Sequence, residues 1–96
     1  MKNIRYSEHL RYKMSLRNID KKVVEKIFIE PDMRFYDNLT GYQIALKRMN
    51  FQGKEKELSL VYKETEDDIV LITVHPLKEG QSKSRTRSGR WKKLQD

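Results

Sequence analysis

The chain contains no cysteine, two prolines and a single tryptophan among its 96 residues. Without thiols there are neither disulfide staples nor thiolate metal sites, so stability must come from packing, and a reducing compartment suits the chain best. No apolar run approaches the ~20 residues that a membrane helix needs, and Met1–Arg5 is not followed by the apolar stretch of a secretory signal. The expected location is the cytoplasm, with no membrane partner. Two distant histidines without cysteines give no zinc-ligand spacing, and the sequence has no phosphate-cradling glycine loop or nucleophile elbow. We expect no metal and no cofactor.

What the chain has in excess is positive charge. Its formal net charge is +7, unevenly placed: 14 Lys/Arg against 12 Asp/Glu precede Pro76, whereas 7 against 2 follow from there on. Such a balance favours a polyanionic partner, either nucleic acid or an acidic protein, and raises association rates at low salt. An apolar fraction of 36% still permits one modest core, because the apolar residues gather into periodic segments.

Those segments predict two helices and then strands. Tyr6, Leu10 and Met14 recur at helical spacing over Ser7–Asn18, with Ser7 as N-cap and Asn18 suited to the left-handed residue that ends a helix. Asp20 can cap a second helix from about Lys21 to Ile29, with Ile19 and Val24 as a hydrophobic staple, until Pro31 disfavours helical geometry at Glu30. After it come strand patterns at Arg34–Tyr36, Tyr42–Asn50, Glu57–Lys63 and Ile69–Val74, separated by turn-forming residues. The expected fold is α+β, with two N-terminal helices packed on one face of a four-stranded, mainly antiparallel sheet over residues 1–76. Residues 77–96 read as a basic, largely flexible tail, because Gln81–Gly89 has no apolar periodicity.

Candidate functional residues follow from charge and spacing. His9, Lys13 and Arg17 fall at i, i+4 and i+8, so one stripe of the first helix offers an imidazole and two cations, about 100° from the Leu10–Met14 face. A phosphate can be clamped there, with Arg17 able to bind two oxygens and an imidazole able to exchange a proton near neutral pH. An amphipathic helix must also put its charges somewhere, and spacing alone favours that plainer explanation. By the two-residue period His75 shares a strand face with Thr73, Leu71 and Ile69, which points it toward the mouth of a sheet groove, although a residue that simply ends the strand before Pro76 is the plainer explanation. A His9/His75 pair would then divide base and acid roles in RNA cleavage without metal, while the cations meet the charge developing at phosphorus. Arg48 and Tyr62 are secondary candidates on strand faces, where ordinary sheet-surface packing is the plainer explanation. In the tail, Arg85 and Arg87 are further candidate RNA-binding cations, and Trp91, flanked by Arg90, Lys92 and Lys93, is either a stacking platform for single-stranded RNA or an anchor packed on the domain.

The run His9-Leu-Arg-Tyr-Lys13-Met14-Ser-Leu-Arg17-Asn18-Ile19 resembles the H-x-x-x-R-M-x-x-R-G-I opening of a widespread family of small prokaryotic domains of unknown function. Val24, Ile27 and Pro31-Asp32 resemble that family's second-helix ending, and Ile69–Val74 its last strand, so the resemblance covers roughly Tyr6 to Pro76. Lys13 stands where the family has Arg, and Asn18 where it has Gly. Those domains are grouped with RelE-like, barnase-like and colicin-like ribonucleases, many of them toxins of toxin–antitoxin pairs. The resemblance implies a RelE-like fold, an endoribonuclease toxin acting on RNA, an acidic antitoxin as partner, and functional roles for His9, Lys13, Arg17 and Thr73. The residues themselves leave two alternatives, a non-catalytic nucleic-acid-binding module and an interaction protein that docks an acidic partner.

Overall fold

The computed structural model describes residues 2–94. The elements run β1 (Asn3–Tyr6), α1 (Glu8–Arg17), α2 (Lys21–Ile29), β2 (Met33–Asp37), β3 (Gln43–Phe51), β4 (Lys54–Glu64), β5 (Asp68–Pro76), α3 (Gln81–Arg87) and β6 (Trp91–Lys93). The six strands form one mixed sheet in the order β1-β5-β4-β3-β2-β6. This corrects the four-stranded, mainly antiparallel, RelE-like sheet with two helices expected from the sequence. Two short edge strands and a third helix are added, and β1 pairs parallel with β5 while the other ladders are antiparallel.

The helix pair is built as its caps dictate. Ser7 Oγ accepts from the Leu10 N–H at 3.0 Å and Asp20 Oδ1 from the Lys22 N–H at 3.2 Å, each cap stabilising its helix by about 1 kcal/mol. Between them Asn18 adopts φ 55° and ψ 47°, the left-handed conformation that lets α1 stop and turn. Leu10, Val24 and Ile27 are then fully buried against Ala45, Leu58, Leu60, Leu71 and Val74 of the sheet. Each such side chain contributes roughly 1.5–3 kcal/mol of burial. The β3–β4 hairpin turns on Gln52 and Gly53 at φ 53° and 86°, the paired positive angles of a tight two-residue turn.

The opposite face of the sheet carries a second apolar cluster of Phe35, Ile44, Leu46, Leu77 and Trp91. It exists because the residues after Pro76, expected to be a flexible tail, fold back on the domain. Trp91 is 2% exposed, its ring centroid lies 5.1 Å from that of Phe35, and β6 pairs antiparallel with β2. Helix α3 is the connection between β5 and β6, fixed through Ser82, whose Oγ donates to Glu57 Oε1 at 2.7 Å. The polar composition that suggested mobility is that of a short helix bridging two anchors.

Two details of β5 position the functional residues. The β4–β5 register shifts at Val61/Tyr62, so Thr73 pairs with Val61 and Leu71 with Tyr62, leaving Ile72 as an extra residue. A bulge of this kind reverses the facing of everything beyond it. Leu71 and Ile69 therefore pack with the helices, whereas Thr73 and His75 face the other way, unlike the common face that strict alternation predicts. Beyond Leu71, where β1 ends, α1 covers the edge of β5: Ser7 Oγ donates to the Ile72 carbonyl at 2.8 Å and Arg17 Nη1 to the Val74 carbonyl at 2.9 Å.

Candidate functional site

On the sheet face opposite the α1/α2 pair, the bulge, the β5 edge and the returning C-terminal segment enclose a cleft of about 260 Å³. Ile44, Ser59, Val61 and Thr73 contribute from the central strands. His9 reaches it from the first turn of α1, His75 from the end of β5, and Arg85 and Arg90 from the α3–β6 segment, with Asp37, Thr40 and Tyr42 at the β2–β3 turn. Residues from both ends of the chain thus meet in one hollow with two imidazoles and two guanidinium groups.

His75 is the inner imidazole. Its Nε2 lies 3.3 Å from Ser59 Oγ, on the residue directly opposite in β4. Burial pushes its pKa below the ordinary value of 6.5, and the positive charges of Arg17, Arg85 and Lys13 push it the same way. It is accordingly held neutral around pH 7. His9, in contrast, is exposed at the rim.

The two arginines of the C-terminal segment differ in their commitments. Arg90 clamps Asp37 with two hydrogen bonds of 3.1 Å each, and Asp37 also accepts the Leu39 N–H at 2.9 Å. Burial alone would raise the Asp37 pKa, but the Arg90 hydrogen bond, the Leu39 N–H and the Arg90 charge outweigh it and leave the carboxyl below its usual range. Arg85 lies over the Trp91 ring, 5.3 Å from its centroid, and forms no ion pair among the described residues. Burial and the neighbouring Arg90 lower its pKa, but a guanidinium stays charged at any physiological pH. Of the two arginines that line the cleft, Arg85 is therefore the one whose charge is not neutralised by a carboxylate among the described residues.

Of the residues singled out in the sequence, the cleft gathers His9, Thr73, His75, Arg85, Arg90 and Trp91. Lys13 and Arg17 stand close enough for their charges to act on His75, although Arg17 also holds the Val74 carbonyl. The remaining four lie elsewhere. Tyr62 faces the helices, 2% exposed, with its hydroxyl accepting from Arg34 Nη1 at 2.9 Å and its ring edge-on to Phe28. Arg48 is at the far end of β3 beside Glu55, 3.6 Å away. Arg87 points into a separate groove of about 460 Å³ beside α3, and Lys92 is exposed on β6. Trp91 itself is core, so it lines the cleft without offering a free face for stacking.

Sequence reasoning missed Asp37, Thr40, Tyr42 and Ser59. The first three sit in or beside what reads only as a turn between strands. Ser59 is the one polar residue between Leu58 and Leu60, and only the β4–β5 register makes it the partner of His75. Among the described residues no group of three or more His, Asp or Glu side chains is placed to hold a metal ion. No described helix is long and apolar enough to cross a membrane. Compared with protein-family models, with curated proteins and with solved structures, the chain gives no match.

Proposed function

We propose that this protein is an endoribonuclease that cleaves RNA without a metal ion and acts in the cytoplasm as the toxin of a toxin–antitoxin pair. The observation that carries the reading is the convergence of His9 and His75 on one cleft with Arg85. The resemblance of the His9–Ile19 run to the opening of a family grouped with toxin ribonucleases supports it.

The chemistry follows from which groups can hold or release a proton. His75, neutral because it is buried among cations, takes the proton of a ribose 2′-hydroxyl. The resulting oxygen attacks the adjacent phosphorus and the bond to the 5′-oxygen breaks. His9, across the cleft, gives the leaving oxygen its proton, so the products are a 2′,3′-cyclic phosphate and a 5′-hydroxyl. The extra negative charge at phosphorus is met by Arg85, with Arg17 and Lys13 adding to the positive potential. A cleft of about 260 Å³ accommodates a nucleotide rather than a duplex, which favours single-stranded substrate.

An acidic antitoxin segment is the proposed protein partner. The groove beside α3 has Met33, Phe35 and Leu46 along its floor and Lys83, Arg87 and Lys93 around it, so it suits a chain that carries both carboxylates and apolar side chains.

A second reading, a non-catalytic RNA-binding module, is favoured by the commitment of Arg17 to the Val74 carbonyl and of Arg90 to Asp37, which leaves fewer cations for chemistry. One assay separates the two. Purified protein is incubated in EDTA with single-stranded RNA and with ribosome-bound messenger, beside His9→Ala and His75→Ala. Cyclic-phosphate ends made by the wild type and lost in folded variants support cleavage. Salt-sensitive binding with the RNA left intact establishes the module instead, and failure to bind RNA at ~50 mM salt removes both readings.

A further inference from the structure

Ser59 is a hydroxyl at 0% exposure, flanked in sequence by two fully buried leucines. A buried hydroxyl costs on the order of 1–3 kcal/mol unless it finds a partner. Its Oγ has two neighbours, both on the residue across the ladder: His75 Nε2 at 3.3 Å and the His75 carbonyl oxygen at 3.4 Å. A serine has one proton to give, and a carbonyl can only accept. If the proton went to Nε2, the lone pairs of Oγ would face those of the carbonyl. If it goes to the carbonyl, Oγ is left as an acceptor facing Nε2, and both contacts are attractive provided that Nε2 carries a hydrogen.

We infer that Ser59 is a positioning residue for His75, holding the proton on Nε2 and leaving Nδ1 as the ring nitrogen that exchanges protons with the ligand in the cleft. No other hydrogen bond to either ring nitrogen occurs among the described residues, so Ser59 is the side chain there that adds a bias to the tautomer. The assignment holds in both charge states, because Nε2 is a donor in the neutral ring and in the imidazolium. His75 can thus take up and release a proton at Nδ1 without breaking the bond that orients it. The catalytic consequence rests on the ribonuclease reading, with Nδ1 as the atom that receives the 2′-hydroxyl proton. The tautomer does not depend on that reading.

The test is long-range proton–nitrogen NMR on the ¹⁵N-labelled full chain at pH 8. In the wild type the His75 ring is expected to show a pyrrole-type Nε2 and a pyridine-type Nδ1. In Ser59→Ala the two forms are expected to mix, and kcat for RNA cleavage to fall roughly ten-fold with KM unchanged, the size of one lost orienting hydrogen bond. A pyridine-type Nε2 in the wild type overturns the inference, and so does a Ser59→Ala ring spectrum identical to the wild type. If the wild type cleaves no RNA, the ribonuclease reading falls while the ring spectrum still decides the role of Ser59.

Discussion

Arg17 Nη1 donates to the Val74 carbonyl across 2.9 Å, tying the last turn of α1 to the β5 edge one residue before His75. The bond satisfies a carbonyl that would otherwise be an open strand edge, and it brings a positive charge next to the imidazole. Arg17→Met keeps an unbranched apolar stem and removes both effects. We expect a loss of about 1–2 kcal/mol in urea unfolding, as for an orphaned backbone acceptor. The pKa of His75 should rise at the same time, because Arg17 is the strongest of the three cations that depress it. An NMR titration of the ring that shows no rise would remove Arg17 from the electrostatics of the cleft.

The same histidine gives the fold a pH dependence of definite sign. Its folded pKa lies below 6.5, so the unfolded chain binds the proton more tightly. Stability from this group is complete above 6.5 and is lost as pH falls through the folded value. Asp37, also depressed, follows the same rule, but its window lies below 3.8. Unfolding free energy measured from pH 7.5 down to pH 5 should therefore fall, and His75→Gln should flatten much of that slope. An unchanged slope in the variant would assign the dependence to other groups.

The parts of this architecture legible in the sequence are those that carry their own signal. Leu10 and Met14, or Val24 and Ile27, repeat at the helical period because one face meets the sheet, and Ser7, Asn18 and Asp20 mark the ends. The alternation of Leu58, Leu60 and Tyr62 likewise declares β4. What escaped is held by partners distant in sequence. Strand β1 is four largely exposed residues defined by pairing with Asp68–Leu71, and α3 buries only Ser82, so neither has an apolar period to detect. Strand β6 is three residues long and depends on Trp91 meeting Phe35. The cleft was half legible for the same reason. His9, His75 and the tail cations are conspicuous as residue types, but the bulge at Ile72 that turns His75 toward Arg85, and the register that places Ser59 against it, are tertiary facts.

Asp37 and Arg90 fasten the C-terminal segment to the turn after β2. With the Asp37 side chain 4% exposed and that of Arg90 32%, the pair is partly desolvated, so removing one partner costs more than a surface ion pair would. Asp37→Ala also orphans the Leu39 N–H. We expect a loss of about 2 kcal/mol, read by denaturation, with hydrogen exchange accelerated at Trp91–Lys93 ahead of the helix pair. Uniform acceleration across the sheet would mean that β6 is not a separable unit.

Trp91 separates a packed C-terminal segment from a loose one. As a side chain 2% exposed against Phe35, its replacement by Ala should destabilise the domain by roughly 3–5 kcal/mol, on the scale of aromatic truncations in cores. Trp91→Phe should recover most of that. A stacking residue on a mobile tail would instead lose RNA affinity at unchanged stability, so thermal unfolding of the two variants decides between them.

Arg85 carries the test of the cleft as an RNA site, because it is the arginine there without an ion pair among the described residues. Removing it as Arg85→Ala should leave stability nearly intact apart from the lost packing over Trp91, worth about 0.5–1 kcal/mol. The His75 pKa should rise, since Arg85 is the second of the charges depressing it. Single-stranded RNA should bind about ten-fold more weakly, and the slope of log K against log salt should shrink by about 0.7, the value for one phosphate contact with a single strand. Arg48→Ala, at the far end of β3, should change neither the ring nor the slope. Equal losses from the two substitutions would mean that RNA follows the overall charge of the surface and not this cleft.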